Sequence, residues 1–272
     1  MFAASKTSAS GVAPDAQFNY VTMLLHGDGT NGAQNNTFVD SSTNNFTITR
    51  NGNTTQGSFS PYGSNWSTFV GVDNNLLSVP SNAAFAFGTG DFTVEGWFFQ
   101  TADSTYPSAM EIGDHGSSTG ILFITGNAGN AKIYSGGFFG SAAITLNAWN
   151  HIAWVRSSGV LQIYVNGVGG TSATFTNNLT NTATVTISNK SPFASDYKFN
   201  GNISNLRVVK GTAVYTSNFT PSKTPLTAIS GTSLLTCQSN RFIDTSSNAF
   251  AITVTGSPSV QRFNPFGAST AY

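Results

Sequence analysis

The sequence predicts an all-β fold of many short antiparallel strands in two packed sheets. Three observations carry this. Charged residues make up 8% of the 272, about a third of the usual ~25%. Asn, Ser and Thr fill roughly a third of the chain, and they favour turns and caps over helix interiors. The apolar residues, 22 Phe among them, recur at a period near two, and no 3.6-residue pattern lasts three turns. Helices should be short or absent.

The same composition excludes several classes. Net charge is zero, with eleven basic and eleven acidic residues. A nucleic-acid binder needs clustered Lys and Arg to neutralise phosphates, and a polybasic membrane-surface protein needs the same. No apolar run approaches the roughly 18 residues of a membrane span. Low charge does not imply disorder, because disordered chains are poor in aromatics. The single cysteine, Cys237, excludes an internal disulfide and a cysteine-based zinc site. It reads either as a small buried apolar residue or as a reactive thiol.

The elements follow in order. Residues 1–20 form a polar arm of small residues, with Lys6 but no apolar stretch of a signal peptide. Residues 21–25 read as a short strand. A loop follows, then FVDSSTNNFTITRNG as strand, turn and strand, closed by the Asn51-Gly52 turn signal. LLSVP (76–80) is a strand. DFTVEGWFFQ (91–100) places Phe92, Val94, Gly96 and Phe98 on one face and Thr93, Glu95, Trp97 and Phe99 on the other. Large apolar residues on both faces mark a central strand. GILFITG (120–126) and AKIYSG (131–136) flank a Gly/Asn turn as a hairpin. Residues 149–170 read as another, joined at Ser157-Ser158-Gly159. TATVTISNK (182–190) and NGNISNLRVVKG (200–211) are the last clear strands.

An internal repeat then emerges. Phe38-Val39-Asp40 returns as Phe242-Ile243-Asp244, 204 residues later. The same offset carries Asn44 onto Asn248, Phe46 onto Phe250, Ile48 onto Ile252 and Phe59 onto Phe263. Leu24-Leu25 pairs with Leu234-Leu235 across a shortened loop. The opening strands of one domain are thus followed by a truncated second copy. The reading gives an arm at 1–20, a main domain at 21–232 and a partial repeat at 233–272. A truncated copy cannot close a core, so it either folds back on the main domain or adds strands to a neighbour.

Residues 69–221 resemble the LamG-like jelly roll of the concanavalin A-like lectin/glucanase superfamily. The matching pieces are LLSVP (76–80), GTGDFTVEGWFF (88–99), WNHIAWVR (149–156), LQIYVNG (161–167) and FNGNISNLRVVKGTAVYTSNFTP (199–221), in the family's order. LLHGDGTNG, FVDSSTNNFTIT and LLTCQSNRFIDTSSNAFAIT resemble versions in tailed-phage structural proteins, often marine. The resemblance implies an antiparallel two-sheet jelly-roll sandwich that binds carbohydrate or protein more often than it catalyses. Fold does not imply function.

A glycosidase needs two carboxylates, about 5–5.5 Å or 6.5–9.5 Å apart. The chain has only Glu95 and Glu111 as glutamates, and Glu111-Ile112-Gly113-Asp114-His115-Gly116 lacks the second Glu of the superfamily's Glu-x-Asp-x-x-Glu strand. A non-enzymatic protein is expected. Related jelly rolls often hold one calcium, but the acidic positions expected for it are Ser204 and Asn205 here, and the family's FDG reads Phe69-Val70-Gly71. Asp28 and Asp73 remain as metal candidates, against their reading as Asx-turn residues. His151 falls in a core strand and reads as structural, and no GxSxG elbow supports a serine triad.

Trp66, Tyr106 and Tyr134, at loops or strand ends, are candidate sugar platforms, with Asp114 and His115 as hydrogen-bonding partners. The competing reading of each loop aromatic is a lid on the core. Phe2, Phe18, Tyr20, Phe263 and Phe266 are candidate assembly contacts. The expected function is a structural protein on the surface of a tailed-phage virion, a head decoration or appendage made in the host cytoplasm and held by its termini. Its expected partners are other virion proteins and further copies of itself as a homo-oligomer. The alternative is a lectin-like adhesion protein of the tail that recognises cell-surface glycans.

Overall fold

The computed structural model describes residues 18–24, 40–48, 66–70, 75–180, 183–190 and 192–266. The chain forms two compact units, residues 1–62 and 63–272.

The strands of the second unit are β1 (Ser67–Phe69), β2 (Leu76–Val79), β3 (Phe92–Gln100), β4 (Ser108–Ile112), β5 (Ile121–Asn127), β6 (Asn130–Tyr134), β7 (Phe138–Ala143) and β8 (Trp149–Ser157). They continue as β9 (Val160–Val165), β10 (Val168–Gly169), β11 (Ala173–Thr174), β12 (Val185–Ile187), β13 (Gly201–Lys210), β14 (Thr232–Thr236), β15 (Thr253–Thr255) and β16 (Ser259–Gln261). They build two antiparallel sheets, the jelly-roll sandwich expected from the sequence. One sheet runs β10-β9-β8-β3-β13-β1-β16, with β11 on β9 and β14 on β13; the other runs β15-β2-β12-β4-β5-β6-β7. Helical structure among the described residues is limited to 3-10 turns at Phe18–Tyr20, Ala83–Phe85 and Ser195–Tyr197. No helix there is long and apolar enough to cross a membrane.

Local chemistry fixes the hairpins. Ala128 and Gly129 between β5 and β6, and Ser158 and Gly159 between β8 and β9, all adopt positive φ. That left-handed pair is the tight turn whose twist suits antiparallel strands. Alternation then sends Phe92, Val94 and Phe98 of β3 inward, where Phe98 and Phe123 each meet the Trp154 ring edge-on. The Trp154 indole donates to the Lys132 carbonyl at 3.0 Å, tying the two sheets together through the core.

The opposite face of β3 is also covered, though by loops and not by a third sheet. Tyr215 and Phe219 stack on each other and, with Ala213, pack over Ala153, Val155 and Tyr164. Phe266 meets Trp97, and Phe263 meets Phe99 and Trp149. Beneath this cover lies a buried ionic cluster. Glu95 on β3 stands opposite Arg207 on β13. The Glu95 carboxylate accepts from both Nε and Nη2 of Arg207, from Tyr215 Oη at 2.8 Å, and pairs with His151 Nε2 at 3.1 Å. Burial by itself would raise the Glu95 carboxyl, but the His151 hydrogen bond and the Arg207 charge outweigh it and hold the carboxyl below its ordinary value.

Residues 233–272 lie in this second unit. β14 pairs with β13, β15 with β2 and β16 with β1, so the partial repeat folds back onto both sheets of its own sandwich. Cys237 is buried, and burial pushes its thiol up to about 11. The thiolate is therefore suppressed at neutral pH, and the residue behaves as a small core group.

In the first unit, residues 21–24 do not form a regular strand, contrary to the expectation for 21–25. The segment is organised by the Asp40 carboxylate. Oδ1 accepts from the amides of Leu24 and Ser42, and Oδ2 from the Ser42 hydroxyl and the Phe46 amide. These bonds, the Leu24 amide foremost, outweigh desolvation and lower the Asp40 carboxyl from its ordinary 3.8 to about 2.

Two outcomes follow from these charges. Glu95→Gln leaves the Arg207 guanidinium without its anion, which costs about 3–5 kcal/mol when a buried pair is broken. Urea denaturation measures it, and a loss below about 1 kcal/mol counts against a buried role for the pair. Asp40 is depressed in the folded state, so its contribution is complete above the ordinary 3.8 and disappears as pH falls through about 2. Amide NMR signals of Leu24, Ser42 and Phe46 should hold to pH 4 and shift together only below it.

Candidate functional site

The outer face of the second sheet carries a cup of aromatic and ionisable side chains. It is built from cross-strand neighbours. Glu111 on β4 stands opposite Leu122 on β5, which stands opposite Tyr134 on β6. Residues in register on one face lie side by side. The intervening Met110, Ile112, Phe123 and Ile133 point into the core. Glu111, Leu122 and Tyr134 therefore point the other way, together with Ile124.

Two loops raise the wall. The Tyr106 amide donates to the Asp196 carbonyl at 2.7 Å, and Ser104 Oγ to the Lys198 carbonyl at 3.0 Å. These bonds hold the β3–β4 connection against the turn Ser195–Tyr197, with the Tyr106 and Tyr197 rings 5.2 Å apart. The turn after β4 supplies His115. Its carbonyl accepts from the Gly136 amide at 2.9 Å. That turn needs glycine at 120, where a Cβ would lie 2.3 Å from the Asp114 carbonyl oxygen.

The result is a cavity of about 150 Å³ lined by Tyr106, His115, Gly116, Leu122, Ile124, Tyr134 and Tyr197. His115 is its polar centre. Nδ1 pairs with Glu111 Oε1 at 2.6 Å, and Nε2 lies 3.4 Å from the Tyr197 hydroxyl. The ring packs against Tyr134 and Tyr197, at 5.6 and 5.3 Å between centroids. Burial, then the charges of its neighbours, raises the Tyr197 phenol, so it remains an O–H group at neutral pH. The Lys190 ammonium stands 4.6 Å from the centre of the Tyr197 ring. The cup thus offers ring faces, phenol hydroxyls and an imidazole oriented by a carboxylate.

Of the candidate sugar contacts, the structure brings Tyr106, His115 and Tyr134 into this one cup. Asp114 is exposed and does not line it; its carboxylate accepts from the Gly116 amide at 2.9 Å and shapes the His115 turn. Trp66 requires a correction. It is 1% exposed, with the Arg262 guanidinium over its ring, so it has no free face for a sugar. Tyr197, Leu122 and the pairing of Glu111 with His115 were not read as site features. The register of β4 and β5 reveals Leu122, the turn after β4 brings His115 back onto Glu111, and a fold-level contact with Tyr106 reveals Tyr197.

Glu95 and Glu111 lie in different sheets. Among the described residues no three His, Cys, Asp or Glu side chains gather closely enough to hold a metal ion. Ser204 and Asn205 serve the core instead: Ser204 Oγ donates to the Trp66 carbonyl at 2.6 Å, and Asn205 Oδ1 accepts from the Leu226 amide at 2.8 Å. Asp28, Asp73, Phe2 and the Phe18 side chain lie outside the described residues. Tyr20 is exposed. Phe263 and Phe266 cover the outer face of β3 as described, and Phe266 also borders a groove of about 450 Å³ with Trp97, Asn166 and Lys223.

No curated protein matches the sequence. Among solved structures, a putative carbohydrate-binding protein from Bacteroides ovatus superposes with a TM-score of 0.52 at 15% identity, over 82% of this chain. The chain covers 66% of that protein. The heptameric SAP-like pentraxin from Limulus polyphemus gives a TM-score of 0.50 at 13% identity, covering 72% of this chain and 94% of the pentraxin. At such identity these likenesses show the fold. A laminin G-type family model described as the Concanavalin A-like lectin/glucanases superfamily matches residues 71–214, more than half of the chain. With the two-sheet jelly roll and this match in hand, the chain belongs to the concanavalin A-like lectin/glucanase superfamily.

Proposed function

We propose that this protein is a non-catalytic glycan-binding protein whose site is the cup formed by Tyr106, His115, Tyr134 and Tyr197. The cup itself carries the reading. Sugars present apolar C–H faces ringed by hydroxyls, and recognition needs flat apolar surfaces beside fixed hydrogen-bonding groups. Tyr106 and Tyr197 supply the surfaces. The Tyr197 hydroxyl and His115, held by Glu111, supply the polar groups. The volume, about 150 Å³, is below the roughly 300–1,000 Å³ typical of drug-sized ligands. It suits one terminal or protruding sugar residue and not an extended chain.

Binding without turnover is supported by the placement of the carboxylates. Hydrolysis needs two of them across one glycosidic bond. Glu95 is committed to Arg207 under the cover of the other sheet, and Glu111 is committed to His115. The relative from Bacteroides ovatus, a putative carbohydrate-binding protein, is consistent with this reading. We further place this binder on the surface of a tailed-phage particle. The support is the resemblance of its two Asp-centred copies to phage structural proteins, and an Asn/Ser/Thr-rich, charge-poor composition.

A glycan array followed by calorimetry tests the site. Tyr197→Ala and His115→Ala should each weaken binding about tenfold or more, equivalent to about 1.4 kcal/mol. Tyr197→Phe, which keeps the ring, should lose less. Melting midpoints identify any variant that has simply unfolded. Folded variants that bind as tightly as the parent would show that the ligand sits elsewhere.

A further inference from the structure

The two copies of the internal repeat fold into the same hydrogen-bonded cage. In the second, Asp244 Oδ1 accepts from the Leu235 and Ser246 amides, and Oδ2 from the Ser246 hydroxyl and the Phe250 amide. Ser246 Oγ and Asn248 Nδ2 both donate to the Ser233 carbonyl. In the first, Asp40, Ser42 and Phe46 repeat these bonds, and Ser42 Oγ and Asn44 Nδ2 both donate to the Thr22 carbonyl. Leu24 takes the part of Leu235 and Thr22 that of Ser233. The structural register is therefore one residue away from the pairing of Leu24-Leu25 with Leu234-Leu235 read in the sequence.

In the second copy the purpose of the cage is visible. Asp244 takes the Leu235 amide, and the Thr245 amide donates to the Leu235 carbonyl at 2.8 Å. One edge of β14 is thereby closed without a neighbouring strand. Backbone groups alternate along a strand, so Leu234 and Thr236 turn theirs toward β13, where they stand opposite Val208 and Leu206. Leu234 is fully buried, and Phe250 and Ile252 pack against the core beside it. The cage is a latch that caps one strand edge and presents the other to β13.

The first copy has the same latch, with the Leu24 amide on Asp40 and the Ser41 amide on the Leu24 carbonyl. Its counterparts of the docking side chains are exposed: Met23, matching Leu234, is 54% exposed, and Phe46, matching Phe250, is 52% exposed. We propose that the segments 21–24 and 40–48 are a donor element that docks on β13 of a second copy of this chain, at Arg207–Val209, in the place held by that copy's own β14. The seat is the one in which the structure shows the second copy of this motif docked. The resident copy has the advantage of belonging to the same chain, so exchange grows with protein concentration and when the resident copy is weakened.

Light scattering on the full-length chain tests this. Leu234→Asp places a charge on the resident β14 and should convert the chain to dimers or larger species whose mass rises with concentration. Adding Asp40→Ala, which dismantles only the first latch, should return the monomer. Asp244→Asn, a milder loosening, should give the same pattern in weaker form where Leu234→Asp fails to fold. Association that Asp40→Ala leaves unchanged would overturn the proposal as nonspecific aggregation. A monomer at all concentrations in the loosened variants would overturn it as well.

Discussion

The contact between Glu95 and Arg207 is the point on which the larger sheet turns. It joins β3 to β13, the two strands through which the other members of that sheet connect. It also reaches outward. Glu95 holds Tyr215 by its hydroxyl, and Arg207 Nη1 donates to the Thr227 carbonyl at 2.8 Å. The long segment after β13 is thus fastened at two places over an ionic pair it helps to bury. The pair and its cover depend on each other: the cover excludes water, and the ions specify where the cover must lie. Stacked Tyr215 and Phe219 complete the seal over His151.

A chain so poor in charge spends its few ionised groups on backbone organisation. Arg156 is fully buried and donates to the carbonyls of Gly88, Gly90 and Asn177, with its plane over Phe92 and Phe175. Burial lowers its guanidinium to about 10, against the opposing charge of Asp91, so it stays cationic at neutral pH. Asp40 and Asp244 each gather four donors from their own neighbourhood. A single ion can anchor several backbone groups because charge-assisted hydrogen bonds are about twice as strong as neutral ones. Asn, Ser and Thr, far more numerous, satisfy turns. This explains why net charge and surface composition say so little about where the structural charges lie.

Much of the fold was legible in the sequence because it is written in local periods. β3, β8, β9 and β13 alternate over six or more residues, and the Ser158-Gly159 turn announces its hairpin. Short strands such as β1, β15 and β16 were not legible, since three residues cannot display a period. The cup was partly legible. Tyr106, His115 and Tyr134 were visible as polar or aromatic residues near strand ends, but nothing local distinguishes them from Trp66, which is buried. The difference is made by partners distant in sequence: Arg262 covers Trp66, whereas the turn carrying Tyr197 opens the wall beside Tyr106. The Glu95 cluster was invisible for the same reason, with its members spread over β3, β8, β13 and the cover.

The repeat is where sequence and structure together say more than either alone. Sequence shows the duplication but places its first strand one residue out of register. A single-residue slip exchanges the two faces and the two edges of a strand. Pairing Leu24-Leu25 with Leu234-Leu235 would give the part of Leu235 to Leu25, whereas the amide that Asp40 accepts from is that of Leu24. The cage fixes the matter, because only one residue can give both its N–H and its C=O to the Asp-Ser turn. An Asp that closes a strand edge therefore also dictates which edge stays open. Edge strands are usually protected on their free side against unwanted pairing. Here one carboxylate gives that protection on one side only, and leaves the other side shaped for a single kind of neighbour, the outer edge of β13.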